Sequence, residues 1–215
     1  MHAKRGTAAM DSAGILNGFE GVAIHDGWKP YKSYEVIHGL CNAHHLRELK
    51  AAGEQPEQIW ARELSELLLE TKARVEAAIE AKADKLPQSV LQEIVERYQL
   101  LIAEGYMLNP KWPGRKQSTK YNLLQRLDSY RQDVLRFAFD FRVPFDNNQA
   151  ERDIRMVRLQ QKISGCWRTI EGAQAYLSVR SYISTARKQG LNALQVLERL
   201  FQADPWLPLP QPTSS

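Results

Sequence analysis

The chain has 215 residues, 43% of them hydrophobic and 25% charged, enough to bury one sizeable core or two small ones. No apolar run approaches the ~18–20 residues that a membrane span needs, and no basic segment followed by an apolar stretch marks an export signal. The net charge of +4 hides a segregation: residues 54–104 carry six Lys/Arg against eleven Asp/Glu, residues 105–131 six against one, and residues 146–190 eight against four. Two basic segments therefore flank an acidic one, and basic segments concentrate affinity for phosphate backbones. The two cysteines, Cys41 and Cys166, lie far apart in sequence, give no disulfide framework and fit a reducing cytosol.

In chain order, residues 6–17 read as a short helix. Val22-Ala23-Ile24-His25 is an apolar run over 21–25, a buried strand that delivers Asp26 to its carboxyl end, where active sites of open α/β sheets lie. His25 then alternates to the opposite face and reads as structural. Tyr34 to Leu40 alternates weakly and reads as a second strand. Asn42 is a candidate cap for a helix running to about Ala52 and broken at Gly53.

From Pro56 to Glu104 the pattern is helical. Leu64, Leu67, Leu68, Thr71, Val75, Ala78 and Ile79 form one buried stripe, and after a break near Pro87 a second runs from Val90 to Ile102. Two such helices with a short connection pack antiparallel. Residues 109–120 are a loop by their prolines and glycine, with Lys111, Arg115, Lys116 and Lys120 around Trp112. That composition suits phosphates plus base stacking as well as it suits a solvated connection. One helix is expected from about Thr119 to Phe139, and two closing helices near 172–188 and 192–202, separated by Gly190 and capped by Asn192 with Gln195. The proline-rich end from Asp204 is expected to be disordered.

Between them lies Pro144-Phe145-Asp146-Asn147-Asn148-Gln149-Ala150-Glu151-Arg152-Asp153-Ile154-Arg155, a helix start with Asp146 as candidate N-cap and Gln149 as its capping-box partner. It carries Glu151 into a group of cations: Arg152, Arg155, Arg158 and Lys162. A carboxylate among cations suits a metal ion beside phosphates, and equally a solvated face of ordinary ion pairs.

The segments HDGWKPY, LCNAHHLREL, FDNNQAERDIR and QKISG, in this order, with residues 180–190 after them, closely resemble the transposases of the insertion-sequence 66 family. The resemblance runs from about the first residues to about Leu200. It implies a helix-rich α/β fold: an incomplete ribonuclease-H-like catalytic core, with residues 1–53 holding the second acidic residue. An all-helical insertion would fill 54–140, with helices over 141–203 completing the core and a tail at 204–215. It further implies three carboxylates that hold two Mg²⁺ (or Mn²⁺) ions for cleavage and strand transfer at DNA phosphodiesters, with Asp26 the second and Glu151 the third. The same resemblance makes Arg152, Arg155, Arg158 and Lys162 contacts to DNA phosphates. Asn147 and Asn148 would fix the approach to the Glu151 helix.

The first carboxylate has no counterpart on an early strand; the only Asp before Asp26 is Asp11, in the opening helix. The chain is therefore expected to be the C-terminal part of a transposase and inactive by itself. The alternative is a non-catalytic remnant that binds DNA or inhibits full-length transposase. Cys41, His44 and His45 resemble a Cys/His pair that follows the second acid in several transposase groups. Hydrogen bonding beside the site ranks first for the histidines, core packing second and zinc last, since no second Cys/His pair lies nearby. Partners implied are transposon-end and target DNA and further transposase copies, in the bacterial cytoplasm at the nucleoid, with no membrane.

Overall fold

The computed structural model describes residues 6–163 and 169–208. Among them are nine α-helices, one 3-10 helix and one two-stranded sheet, so the fold is helix-rich α/β. The chain divides into two compact units, Lys4–Asn148 and Gln149–Ser215.

The first unit opens with α1 (Thr7–Ala13), which stops at Gly14 in the left-handed conformation, φ 65°. Strand β1 (Val22–His25) pairs in parallel with β2 (Ile37–Leu40), in the register Val22↔Ile37 to His25↔Leu40. The expected second strand is thus shorter than Tyr34–Leu40. A 3-10 helix over Lys29–Ser33, started by Pro30, occupies the crossover, and Tyr34 closes it. Tyr34 is buried and its hydroxyl donates to the Asp11 carboxylate at 2.7 Å, so it serves as a tie to α1 rather than as a ladder residue.

Helix α2 (Asn42–Ala52) follows β2 directly. Cys41, not Asn42, holds the N-cap position, and Asn42 is the first helical residue. Its side chain is buried, with Nδ2 donating to the Val134 carbonyl at 2.9 Å. At the other end, Arg62 reaches back to the carbonyls of Gly53 (2.8 Å) and Pro56 (2.9 Å), satisfying backbone that the turn leaves unpaired.

Helices α3 (Ile59–Glu80) and α4 (Gln88–Leu108) pack against each other, burying the stripes read from the sequence: Leu64, Leu67, Leu68, Thr71 and Val75 on one, Leu91, Ile94, Tyr98, Leu101 and Ile102 on the other. Exposed pairs Arg74–Glu93 and Arg97–Glu70 bridge their outer faces. The stretch expected as one helix from Thr119 to Phe139 is two, α5 (Thr119–Ser129) and α6 (Arg131–Phe139). Tyr130 (φ −114°, ψ 25°) leaves helical geometry between them and lets each turn its own apolar face inward. Leu123, Leu124, Leu127, Val134, Leu135 and Phe137 complete the core. Tyr98 ties α4 to α5 by donating to the Leu127 carbonyl at 2.9 Å.

In the second unit, α7 (Asn148–Ile163) precedes α8 (Ile170–Lys188) and α9 (Ala193–Phe201). Thr169 caps α8 through the Gly172 amide. Asn192 caps α9 by accepting from the amides of Leu194 and Gln195, as its sequence context predicts. Tyr182 joins the last two helices, its hydroxyl donating to the Val196 carbonyl at 3.1 Å and accepting from the Trp206 amide at 3.0 Å.

Candidate functional site

Asp26 stands one residue past β1 and is exposed. Its place is set from beneath. His25, 2% exposed, turns into the interior, where its ring stacks on Tyr31 with centroids 4.4 Å apart. Gly27, at φ 82°, donates its amide to His25 Nδ1 at 3.0 Å. That bond fixes the tautomer: Nε2 carries the proton and donates to His38 Nδ1, also at 3.0 Å. Burial, then the neighbouring His38, pushes the His25 pKa down to about 4, so His25 is neutral near pH 7. The turn after β1 is thus bonded on both sides of Asp26, whose Oδ1 accepts the Trp28 amide at 3.0 Å. The structural role expected for His25 is the one it has.

The end of β2 meets the approach to α7 within the first unit. Cys41 donates its amide to the His25 carbonyl (2.9 Å) and Asn42 donates to the Phe145 carbonyl (3.1 Å). The buried Cys41 sulfur accepts the Asn147 amide at 3.2 Å. Asp146 accepts the Asn148 amide at 2.9 Å, a turn one step before the helix rather than the expected N-cap. Gln149 is likewise not its capping-box partner: it donates to Asp153 at 3.1 Å and accepts from Arg152 at 2.8 Å.

His45 is buried, its Nδ1 against Asn42 Oδ1 at 3.2 Å. Because Asn42 Nδ2 already donates to Val134, Oδ1 is the acceptor and His45 Nδ1 carries the proton. Burial, then Arg126 and His44, holds its pKa down at about 4. His45 is thus both buried and bonded to Asn42, while His44 is half-buried on the same helix.

In the second unit Glu151 lies in the first turn of α7, half-buried, so the two carboxylates singled out from sequence are carried by different units. Arg152 and Arg155 are exposed on the same helix, and Arg155 makes no ion pair among the described residues. Asp153 pairs with Lys188 of α8 at 2.8 Å, and this bond holds its carboxyl below the usual range. The side chains of Arg158 and Lys162, and Cys166 altogether, lie outside the described residues.

A group that sequence reasoning missed stands beside Asp153. Arg180, Ser184 and Arg187, one face of α8 at spacings of four and three, line a cavity of ≈ 300 Å³ with Gln149 and Lys188. The spacing was the available signal.

Of the loop cations, Lys111, Arg115 and Lys116 are exposed and surround the half-exposed Trp112. Lys120 is set apart from them. It starts α5, bonds to Gln55, and walls an open groove of ≈ 690 Å³ with Glu48, Thr119 and Arg126.

The arrangement defines a helical α/β protein with a strand-end carboxylate, a second carboxylate opening a helix, and cations nearby in sequence. The family model for the transposase IS66 family matches residues 1–175, and the chain belongs to that family. No curated protein and no solved structure matches it. No helix among the described residues is long and apolar enough to cross a membrane.

Proposed function

We propose that this chain is part of the ribonuclease-H-like catalytic domain of a DNA transposase, acting with divalent metal on phosphodiesters in cleavage and strand transfer. The observation that carries the reading is Asp26: an exposed carboxylate at the end of a parallel strand, next to the buried His25, which bonds to His38 and to the Gly27 amide. An exposed oxygen donor with a fixed backbone suits Mg²⁺ or Mn²⁺, hard cations that take oxygen ligands. Glu151, in the first turn of α7, offers the second such oxygen.

Asp26 and Glu151 are the residues that would hold Mg²⁺ or Mn²⁺, which when bound would supply Lewis-acid activation of water or of a DNA 3′-hydroxyl and stabilisation of the leaving oxygen. The protein's own share is orientation and charge. The Trp28 amide occupies one lone pair of Asp26 and so directs the rest. Arg152 and Arg155 neutralise phosphates that flank the reacting one, with Arg158 and Lys162 further along α7 in the same role. Asn147, bonded to the Cys41 sulfur, and Asn148, bonded to Asp146, shape the segment that leads into α7.

The ligand set is partial. Asp11, the only Asp before Asp26, accepts the Tyr34 hydroxyl and is used as a structural tie. We extend the proposal accordingly: with Asp26 and Glu151 as its acids, the chain binds DNA and metal but does not by itself complete cleavage. Further transposase copies are its protein partners.

Binding of the whole chain to duplex DNA across a salt series tests the DNA half of this reading. Affinity is expected to fall steeply and linearly on logarithmic axes, with the slope reduced by about 2 when Arg152 and Arg155 are both changed to Ala. A salt-independent interaction, or no interaction, contradicts it.

A further inference from the structure

The loop between α4 and α5 is built to display one aromatic ring. Its first residue is anchored: Asn109 Nδ2 donates to Gln58 Oε1 at 2.8 Å and to the Gly105 carbonyl at 2.9 Å, in the interior. Its last is the α5 N-cap, where Ser118 accepts the Tyr121 amide at 3.0 Å. Between these anchors Gly114 turns the chain at φ 67°. Gln117 then staples the turn from inside. Its Oε1 accepts the Trp112 amide at 2.8 Å, and its Nε2 donates to the carbonyls of Trp112 (2.6 Å) and Arg115 (3.0 Å).

At the tip, Trp112 is 49% exposed, and its ring meets no hydrogen-bond or aromatic partner among the described residues. Pro113 and Arg115 lie with it around a recess of ≈ 230 Å³. Lys111, Arg115 and Lys116 are exposed and make no ion pair among the described residues, and residues 105–127 contain no Asp or Glu. A half-exposed indole on a loop already anchored at both ends offers its ring face for stacking with little further ordering on binding.

We infer that this loop seats an unpaired nucleotide of DNA, its base stacked on Trp112 and the adjoining phosphates held by Lys111, Arg115 and Lys116. A polyanion with flat π faces matches uncompensated cations around an open ring. A fully paired duplex offers the phosphates but hides the base faces in its stack. The inference rests on the DNA-acting reading above and adds a strand state to it.

The test uses the whole chain with two oligonucleotides: a duplex carrying 2-aminopurine in a one-nucleotide overhang, and the same duplex fully paired. The wild-type chain should quench the overhang fluorophore and prefer the overhang substrate. Trp112→Ala should remove the quenching and weaken the overhang complex about ten-fold or more, leaving the paired one unchanged. Trp112→Phe should restore most of both. Changing Lys111, Arg115 and Lys116 together to Ala should lower the salt dependence without abolishing quenching. Equal binding of both substrates by wild type and Trp112→Ala overturns the stacking seat while leaving DNA binding standing. Failure of the wild type to bind either substrate overturns the DNA reading itself.

Discussion

His45 shows what a single buried residue contributes. It is held neutral by burial, its pKa lowered to about 4 against ~6.5 in an unfolded chain. The unfolded state therefore binds more protons between those values, so the stabilisation is complete above pH 6.5 and is lost as pH falls towards 4, by at most about 3 kcal/mol. Denaturant midpoints measured from pH 7 to pH 4 should fall accordingly, and His45→Gln should flatten that part of the profile. Arg62 is the second residue-scale case. Its guanidinium satisfies backbone carbonyls after α2, so Arg62→Ala should cost about 1–3 kcal/mol in equilibrium unfolding.

Among the elements, helix ends are the most instructive. Three helices close with the same pair of backbone bonds around a left-handed residue: Lys82 after α3, Gly190 after α8 and Ala203 after α9. Gly190 was legible as a helix stop because glycine favours that conformation, whereas Lys82 and Ala203 gave no such signal. Lys82→Gly should accordingly raise stability by about 0.5–1 kcal/mol in a denaturant titration.

The same contrast runs through the rest of the chain. The stripes of α3 and α4 were readable because period 3.6 is a local pattern. The break at Tyr130 was not, since no proline or glycine marks it. The second strand was read three residues too long because alternation continues through a residue that the 3-10 turn diverts. Asp146 carried the right side chain for capping but sits one step early, since its neighbours are tied to Cys41 and Asn42 through bonds spanning more than a hundred residues. The placement of Asp26 just past a strand and of Glu151 in the first turn of a helix was legible from local pattern. The His25–His38 bond that steadies Asp26 and the Gln117 staple were not, because neither partner spacing is periodic. Removing that staple gives a local prediction: Gln117→Ala should speed tryptic cleavage after Arg115 and Lys116 while leaving the global unfolding midpoint nearly unchanged.

At the scale of the whole molecule, the hydrophobic core cluster of the described residues lies in the first unit, where α3, α4 and α5 bring Trp60, Gly105 and Leu124 together. A methyl group at Gly105 would overlap Leu124 and press on Trp60. Gly105→Ala should therefore destabilise by about 1–3 kcal/mol, and by less than that in a Leu124→Ala background, where the space is free. This rigid helical frame carries the basic loop, and the small parallel sheet carries Asp26. Under the proposed function, metal and DNA phosphate carry the chemistry and the chain supplies ligands and cations. The measurement that bears most directly on that account is a Mn²⁺ titration of the whole chain followed by electron paramagnetic resonance. The account predicts Mn²⁺ binding that Asp26→Asn and Glu151→Gln each abolish while the circular dichroism spectrum is retained. Wild-type binding that survives both substitutions, or no binding at all, contradicts it.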